Sequence, residues 1–378
     1  MLFIFVTVFV DLLGYGMMVP LLPFFVQRHA GGAALAGALG SVYALMQLLS
    51  GPILGALSDR YGRRPVLLIC LLGTAGAYAW LGLANTLPLI FLAIMLDGLT
   101  GGNLTTAYAY IADITAPENR ARGMGLVGAA FGLGMMAGPA LGGLLSQFGL
   151  GVPAFTACGI ALANVAFGFF TLPESLPPER RTATLSWKSL NSVSQLAGLF
   201  RVQAIRVFLL ALFTLNLAFA GLQTNFPLFS QARFGWDSVR NGIFFAYVGV
   251  CAVFIQGWLY GKIHPRFGEK RLARAGLMLM ALGLAGIALA SQDWMLYPAV
   301  GVAALGSGLS IPSLTALASH RVTEQGRLMG GMQVLLSLTN IIGPTLAGLA
   351  FQFVAVPAPY WLGCALALAA LGIFERHR

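Results

Sequence analysis

Charged residues are scarce in this chain. They make up 9% of its 378 residues, whereas about a quarter of the residues are charged in soluble globular proteins. Apolar residues account for 58% of the sequence, and the mean hydropathy is +0.82. This composition excludes a soluble globular protein and indicates an integral membrane protein.

Residue patterns typical of disulfide frameworks, metal sites and enzymes are also missing. The four cysteines lie at unrelated spacings in apolar segments, at Cys70, Cys158, Cys251 and Cys364. The sequence contains no Gly-Lys-Ser/Thr phosphate loop, no cluster of histidines and no Ser-His-Asp set. We therefore expect no metal, no cofactor, no enzymatic activity and no step driven by ATP.

Long apolar segments occupy most of the sequence. A helix needs about 20 residues to cross about 30 Å of hydrocarbon, and we identify twelve segments of this kind, numbered spans 1 to 12. We expect an all-α integral membrane protein. The predicted spans are 2–27, 34–57, 66–84, 88–113, 121–148, 152–172, 204–231, 239–262, 272–291, 294–319, 327–353 and 358–374.

Basic residues are distributed unevenly among the loops. Of the 22 lysines and arginines, 19 lie in the even-numbered loops and at the C-terminus, and only Arg28, Arg233 and Arg240 lie in the odd-numbered loops. By the positive-inside rule, the even-numbered loops and both termini are predicted to face the cytoplasm. Topology thus accounts for the net charge of +10, and we expect contact with the lipid bilayer and none with nucleic acid.

The two halves of the sequence repeat one another. Residues 51–62 align without gaps with residues 257–268 at an offset of 206. At an offset of 205, residues 138–139 align with residues 343–344, and both pairs are Gly-Pro. Parallel repeats of six helices are one plan for secondary transporters, with the substrate bound between the halves. The predicted domains are two pseudo-symmetric six-helix bundles, 1–172 and 204–378, joined by a polar linker, 173–203.

A motif of glycine, aspartate and arginine joins spans 2 and 3. Any lysine or arginine would satisfy the positive-inside rule, which leaves Asp59 and the glycines unexplained. The motif resembles the loop motif of the major facilitator superfamily, and the segment at Asp113 resembles its companion element. The resemblance implies a cytoplasmic gate in which Asp59 caps the start of span 11, favourable by about 0.3–1 kcal/mol, and Asp113 pairs with an arginine of residues 60–64. The predicted gate residues are Gly55, Asp59, Arg60, Gly62, Arg63, Arg64, Asp113 and Arg120.

Span 5 is rich in glycine. Small residues four apart let helices pack closely in lipid, but this packing does not account for a Gly-Pro pair followed by two further glycines. The complete pattern resembles the antiporter motif of drug/proton exchangers in the same superfamily, which implies antiport. Its residues are Gly128, Gly132, Gly134, Gly138, Pro139, Gly142 and Gly143.

Further segments are similar to the tetracycline/proton antiporters of this superfamily. The similarity implies a monomer in the bacterial inner membrane that exports amphipathic, tetracycline-like compounds in exchange for protons by alternating access. The chain departs from that family at Ile94, where the antiporters carry an arginine, and at Ala77 and Met280, where they carry acids. Coupling through that arginine therefore does not transfer to this chain. The similar segments are 11–23, 43–47, 58–68, 131–134, 233–238 and 267–270.

Two acidic residues lie near the middle of predicted spans, Asp11 in span 1 and Asp97 in span 4. A charge there costs on the order of 2.5–3.5 kcal/mol, so each acid is expected to face a cavity. Helical spacing places Tyr15 on the face of Asp11 and Tyr108 on the face of Asp97. We expect the two acids, singly or as a coupled pair, to exchange a proton for substrate. The alternative is that each acid is hydrogen-bonded within the N-terminal half and never titrates.

Aromatic and amide side chains in the spans are candidates for contacts with substrate. They suit stacking and hydrogen bonding, although helix packing explains each one alone equally well. An alternative function is proton-independent facilitated export of an endogenous metabolite, with Asp11 as its counter-ion. A membrane enzyme or receptor would need a catalytic set or an extramembrane domain, and the sequence offers neither. The candidates are Tyr15, Tyr43, Gln47, Tyr108, Gln223, Asn225, Phe245, Gln333 and Asn340.

Overall fold

The computed structural model describes residues 2–116, 120–181, 203–322 and 325–376, and these ranges contain helices and no strand. Within them, ten helices are long and apolar enough to cross a membrane, or eleven when a bent pair in span 7 is counted as one. The predicted all-α membrane fold is therefore confirmed. Most of the predicted linker, residues 182–202, lies outside the described residues.

Each predicted span coincides with helical structure. Several helices extend beyond the predicted spans, because a helix continues into the membrane–water interface after the apolar run has ended. The α-helices are Leu2–Met18, Leu22–Arg28, Ala33–Tyr61, Arg63–Leu83, Leu87–Thr100, Asn103–Ile114, Arg120–Ser146, Gly151–Thr171, Gln203–Phe234, Ser238–Phe254, Tyr260–Leu289, Leu296–Ser319, Gln325–Phe353 and Ala358–Glu375.

No loop separates spans 8 and 9: helical residues extend over the 52 residues Ser238–Leu289, with a π-helix at Ile255–Leu259 and a kink at Gly268 between the two spans. This is why fewer helices are counted than the twelve predicted. The backbone leaves the helical conformation inside this segment at Gly268, where φ is 73°. Gly62, 206 residues earlier, has a φ of 107° and separates spans 2 and 3. The turn after span 2 and the turn after span 8 thus each contain a glycine in the left-handed region, which other residues adopt at a cost.

Two predicted spans are interrupted. Span 1 passes through a 3-10 turn, Val19–Leu21, which contains Pro20; proline lacks the amide hydrogen that a continuous helix requires. Span 4 breaks between Thr100 and Asn103. A Cβ atom on Gly102 would lie 2.7 Å from the hydroxyl oxygen of Ser50, so the break also brings span 4 close to span 2.

The chain divides into two compact units. Unit 1 comprises Met1–Gly31, Val42–Asn191 and Ser238–Ala246. Unit 2 comprises Gly32–Ser41, Ser192–Asp237 and Tyr247–Arg378. Unit 1 therefore includes the first residues of span 8, and unit 2 includes the first residues of span 2.

In unit 1, span 5 packs against two helices through glycine. A Cβ atom on Gly138 would lie 2.7 Å from the carbonyl carbon of Gly16 and from the carbonyl oxygen of Leu13, both in span 1. A Cβ atom on Gly143 would lie 2.9 Å from the Cα atom of Gly242, at the start of span 8. Close backbone contact of this kind replaces the hydrophobic drive that is missing between helices in lipid.

Unit 2 contains the corresponding contacts. A Cβ atom on Gly221, in span 7, would lie 2.5 Å from the Cβ atom of Ala347 in span 11. A Cβ atom on Gly37, in span 2, would overlap the carbonyl oxygen of Pro344 in span 11. Gly221 lies 205 residues after Gly16, and Gly242 lies 205 residues after Gly37. The offset found in the sequence therefore recurs in the packing.

We predict that Gly138→Ala destabilises the protein, because the added methyl group meets the backbone of span 1; overpacking of this kind costs about 1–3 kcal/mol. The measurement is the thermal unfolding midpoint of the purified protein in detergent. Gly128→Ala is the matched control, since among the described residues no atom outside its own helix lies within 4 Å of a Cβ atom there. Equal midpoints for the two variants would contradict the packing described here.

Candidate functional site

Both membrane acids lie in unit 1 and belong to one cluster. Asp97 is 5% exposed and interacts electrostatically with Asp11. Tyr15, Tyr43 and Tyr78 also lie near Asp97. We call these five residues the acidic cluster. Four of them were predicted as site residues, and they come from spans 1, 2 and 4.

The aromatic part of the cluster is ordered by contacts between spans 1, 2 and 4. The rings of Tyr15 and Tyr43 are stacked with their centroids 5.2 Å apart. The Nε2 atom of Gln47 donates a hydrogen bond of 3.1 Å to the carbonyl oxygen of Gly101, where span 4 breaks. A Cβ atom on Gly101 would lie 2.9 Å from the hydroxyl oxygen of Tyr43. Gln47 thus holds span 2 to span 4, and its contact with substrate stays a prediction.

The polar side of the cluster is formed by span 3, which the sequence analysis did not identify. The hydroxyl group of Thr74 lies beside the side chain of Asp97, and its oxygen lies 3.2 Å from the hydroxyl oxygen of Thr100. Tyr78 is buried one turn further along the same helix. Thr74 and Tyr78 are four residues apart, which places them on one helical face. That spacing was the signal available in the sequence.

The cluster combines two carboxyl groups with aromatic rings and hydroxyl groups. Its two carboxyl groups interact, so the charge on either one depends on the protonation of the other and on the surrounding solvent and ligands. The stacked tyrosines offer apolar ring faces and hydroxyl groups beside these acids. Such a surface suits the stacking and hydrogen bonding of an amphipathic molecule.

The turn between spans 2 and 3 is organised around Arg63, which is 7% exposed. We call residues 58–64 the arginine turn. The Nη1 atom of Arg63 lies 2.6 Å from Oδ1 of Asp59 and donates a hydrogen bond of 2.6 Å to the hydroxyl oxygen of Ser58. Its Nε atom lies 3.0 Å from Oδ2 of Asp113. The predicted pairing of Asp113 with an arginine of residues 60–64 is therefore confirmed.

The remaining residues of the predicted gate are placed as follows. The guanidinium group of Arg64 lies over the ring of Phe169, and that of Arg60 lies over the ring of Tyr61. Residues 323–324, which precede span 11, are outside the described residues, as is the side chain of Arg120. The predicted cap of span 11 by Asp59 stays a prediction.

Unit 2 has a different chemistry at the position that matches Arg63. Glu269 follows Arg63 by 206 residues. Its Oε1 atom lies 3.0 Å from Nε2 of His320 and 3.5 Å from Nε2 of His264. A carboxylate between two histidines thus replaces an arginine between two carboxylates.

The other predicted substrate residues are spread over both units. Asn225 is 2% exposed, and within the part of the chain that the structure describes its Nδ2 atom has no hydrogen-bond partner. It follows a 46° bend in span 7. Tyr108 is 40% exposed. Gln333 and Asn340 are exposed in span 11, Phe245 is half-buried in span 8, and the side chain of Gln223 lies outside the description.

The glycines of the predicted antiporter motif serve two purposes in the packing. Gly134, Gly138 and Gly142 face the backbone of span 1, whereas Pro139 and Gly143 meet the start of span 8. The motif therefore fixes the helix that carries Asp11. Its predicted role in antiport stays a prediction.

Comparison with known proteins finds similarity over nearly the whole chain. The chain is 36% identical to the class C tetracycline resistance protein of Escherichia coli, covering 95% of this chain and 90% of the relative. It is 31% identical to multidrug resistance protein 2 of Bacillus subtilis, covering 92% and 87%. The crystal structure of the human organic anion transporter MFSD10 superposes with a TM-score of 0.75 at 24% identity, over 98% of each chain.

A family model described as the Major Facilitator Superfamily matches residues 4–322 and 259–377. The resemblance recognised in the sequence motifs is thereby confirmed, and so is the prediction of a transporter rather than an enzyme. This chain belongs to the major facilitator superfamily of membrane transporters.

Proposed function

We propose that this protein is a secondary active transporter that exports amphipathic organic compounds, including tetracycline-like drugs, in exchange for protons. The observation that carries the proposal is the acidic cluster, in which two membrane-embedded carboxyl groups interact beside stacked tyrosines. Relatives named for tetracycline and multidrug resistance support the substrate class.

Transport proceeds by alternating access in this proposal. The bundles 1–172 and 204–378 rock about a site between them, and the linker 173–203 connects them. Substrate stacks on Tyr15 and Tyr43 in this scheme, and Asn225 and Gln223 are the amides proposed to form hydrogen bonds with it. Binding changes the surroundings of Asp11 and Asp97, and a proton leaves or enters as the site changes the side to which it opens.

The arginine turn closes the cytoplasmic side in this scheme. Both termini lie in the cytoplasm, as the basic residues in the even-numbered loops indicate. The protein works as a monomer in the bacterial inner membrane. The pairing of Arg63 with Asp59 and Asp113 supports the gate, since it joins the ends of three helices on the side where most basic residues lie.

Facilitated export without proton coupling is the second candidate. It is favoured by one observation: Ile94, buried one turn before Asp97, stands where the tetracycline antiporters carry an arginine. In this alternative, Asp11 is a counter-ion for a metabolite, and its charge does not change during transport.

We predict that Asp11→Asn and Asp97→Asn each reduce proton-driven tetracycline uptake into inverted membrane vesicles at least tenfold, since neither amide can carry the proton. The measurement is the initial uptake rate with an imposed pH gradient. Glu179→Gln, an exposed acid of the linker, is the control and retains the wild-type rate. Full coupling to the pH gradient in both aspartate variants would refute the proposed exchange; uptake by wild type without any gradient would favour the second candidate.

We also predict that Tyr43→Ala weakens tetracycline binding by about fivefold, equivalent to the loss of about 1 kcal/mol of aromatic contact. The dissociation constant is measured on purified protein by ligand-induced thermal stabilisation. Phe170→Ala removes an exposed ring far along the chain and serves as the matched control. If both variants bind as the wild type does, the tyrosine pair is not a substrate contact.

A further inference from the structure

We propose that Glu174 is a positioning residue of the cytoplasmic gate: its carboxylate caps the first turn of span 3 and thereby holds Arg63 in place between Asp59 and Asp113. The inference rests on the proposed gating role of the arginine turn. It adds a residue that follows span 6 and lies outside both recognised gate motifs.

The carboxylate of Glu174 takes the place of a helix cap. Its Oε1 atom accepts a hydrogen bond of 2.9 Å from the backbone nitrogen of Arg63, and its Oε2 atom accepts one of 3.3 Å from that of Arg64. Backbone N–H groups in the first turn of a helix have no acceptor within the helix. The residue before this helix is Gly62, which has no side chain that could cap it. Glu174, 111 residues after Arg63, therefore accepts the hydrogen bonds of these two backbone N–H groups.

Gly62 makes room for this cap. A Cβ atom on Gly62 would overlap the Oε2 atom of Glu174. The glycine is thus required for two reasons, its positive φ of 107° and the space that the carboxylate occupies. The second reason links Gly62, a glycine of the gate motif, to Glu174, which lies outside that motif.

The segment 173–176 also binds the end of span 4. The hydroxyl group of Tyr110 donates a hydrogen bond of 2.8 Å to the carbonyl oxygen of Pro173. The hydroxyl group of Ser175 donates one of 3.2 Å to Oδ2 of Asp113, the same atom that faces Nε of Arg63. Residues 173–176 therefore contact both members of the ion pair between Arg63 and Asp113.

The carboxylate is itself held in position. Its Oε1 atom accepts a hydrogen bond of 3.0 Å from the backbone nitrogen of Leu176, and Nη2 of Arg181 lies 3.9 Å from its Oε2 atom. A negative charge at a helix N-terminus is also favoured by the helix dipole. The hydrogen bond from Leu176 and the basic side chain of Arg181 hold the carboxylate against the arginine turn.

The test compares wild type with Glu174→Gln, Glu174→Ala and Glu174→Asp in the full-length protein. Amide hydrogen exchange of residues 62–66 is followed by mass spectrometry, and tetracycline binding and uptake are measured in parallel. We expect at least threefold faster exchange at 62–66 in the Gln variant, which loses one acceptor oxygen and the charge. The Ala variant exchanges faster still. Exchange in span 12 stays unchanged in both, as does the thermal unfolding midpoint of the Gln variant.

In transport, we expect the maximal uptake rate of the Gln and Ala variants to fall about tenfold while the tetracycline dissociation constant changes less than twofold. Glu174→Asp retains the charge and recovers part of the rate. Glu179→Gln, five residues away and exposed, leaves exchange and uptake as in wild type.

Unchanged exchange at residues 62–66 in the Ala variant would overturn the cap. Faster exchange with a wild-type uptake rate would overturn its role in gating. If wild type transports no compound tested, the proposed function fails, while the exchange result still decides whether Glu174 positions the arginine turn.

Discussion

Backbone contact between span 5 and its neighbours is the constraint on which the rest of unit 1 depends. Gly138 lies against span 1, and Gly143 lies against the start of span 8, so that a methyl group on either would meet backbone atoms. Helices in lipid gain little from burying apolar side chains, and close approach is the interaction left to them. This contact places Asp11, on span 1, where it interacts with Asp97 on span 4. Unit 2 repeats the arrangement with Gly221 and span 11.

The membrane environment also explains why the polar groups of the protein are found in clusters. A carboxyl group inside the membrane is expensive, and Asp97 is accompanied by the hydroxyl of Thr74 and by tyrosines from three spans. At the membrane surface, the side chain of Arg63 pairs with two acids. Its backbone N–H group donates a hydrogen bond to the carboxylate of Glu174. The matching position in unit 2 carries Glu269 between histidines. The repeat thus preserved the turn and its glycine while the chemistry of the two halves diverged.

The sequence was sufficient for features that recur at fixed spacing. Apolar runs predicted the helices, the two offsets predicted repeated halves, and the family motif predicted that Asp113 pairs with an arginine of residues 60–64, which the structure identifies as Arg63. It was not sufficient for contacts between residues far apart in the chain. Glu174 caps the helix that begins at Arg63, 111 residues earlier. A single acid after span 6 has no spacing pattern from which this contact could be predicted. Thr74 and Tyr78 were missed because uncharged polar residues in an apolar span resemble packing residues until their neighbours are known.

Proton exchange at the acidic cluster is the central claim, and proton release on substrate binding tests it most directly. Purified protein in weakly buffered detergent solution is mixed with tetracycline, and the pH of the solution is followed with an indicator dye. The account predicts that wild type releases protons as it binds, and that the double variant Asp11→Asn, Asp97→Asn binds tetracycline without releasing any. Binding by wild type with no change in pH would contradict the account.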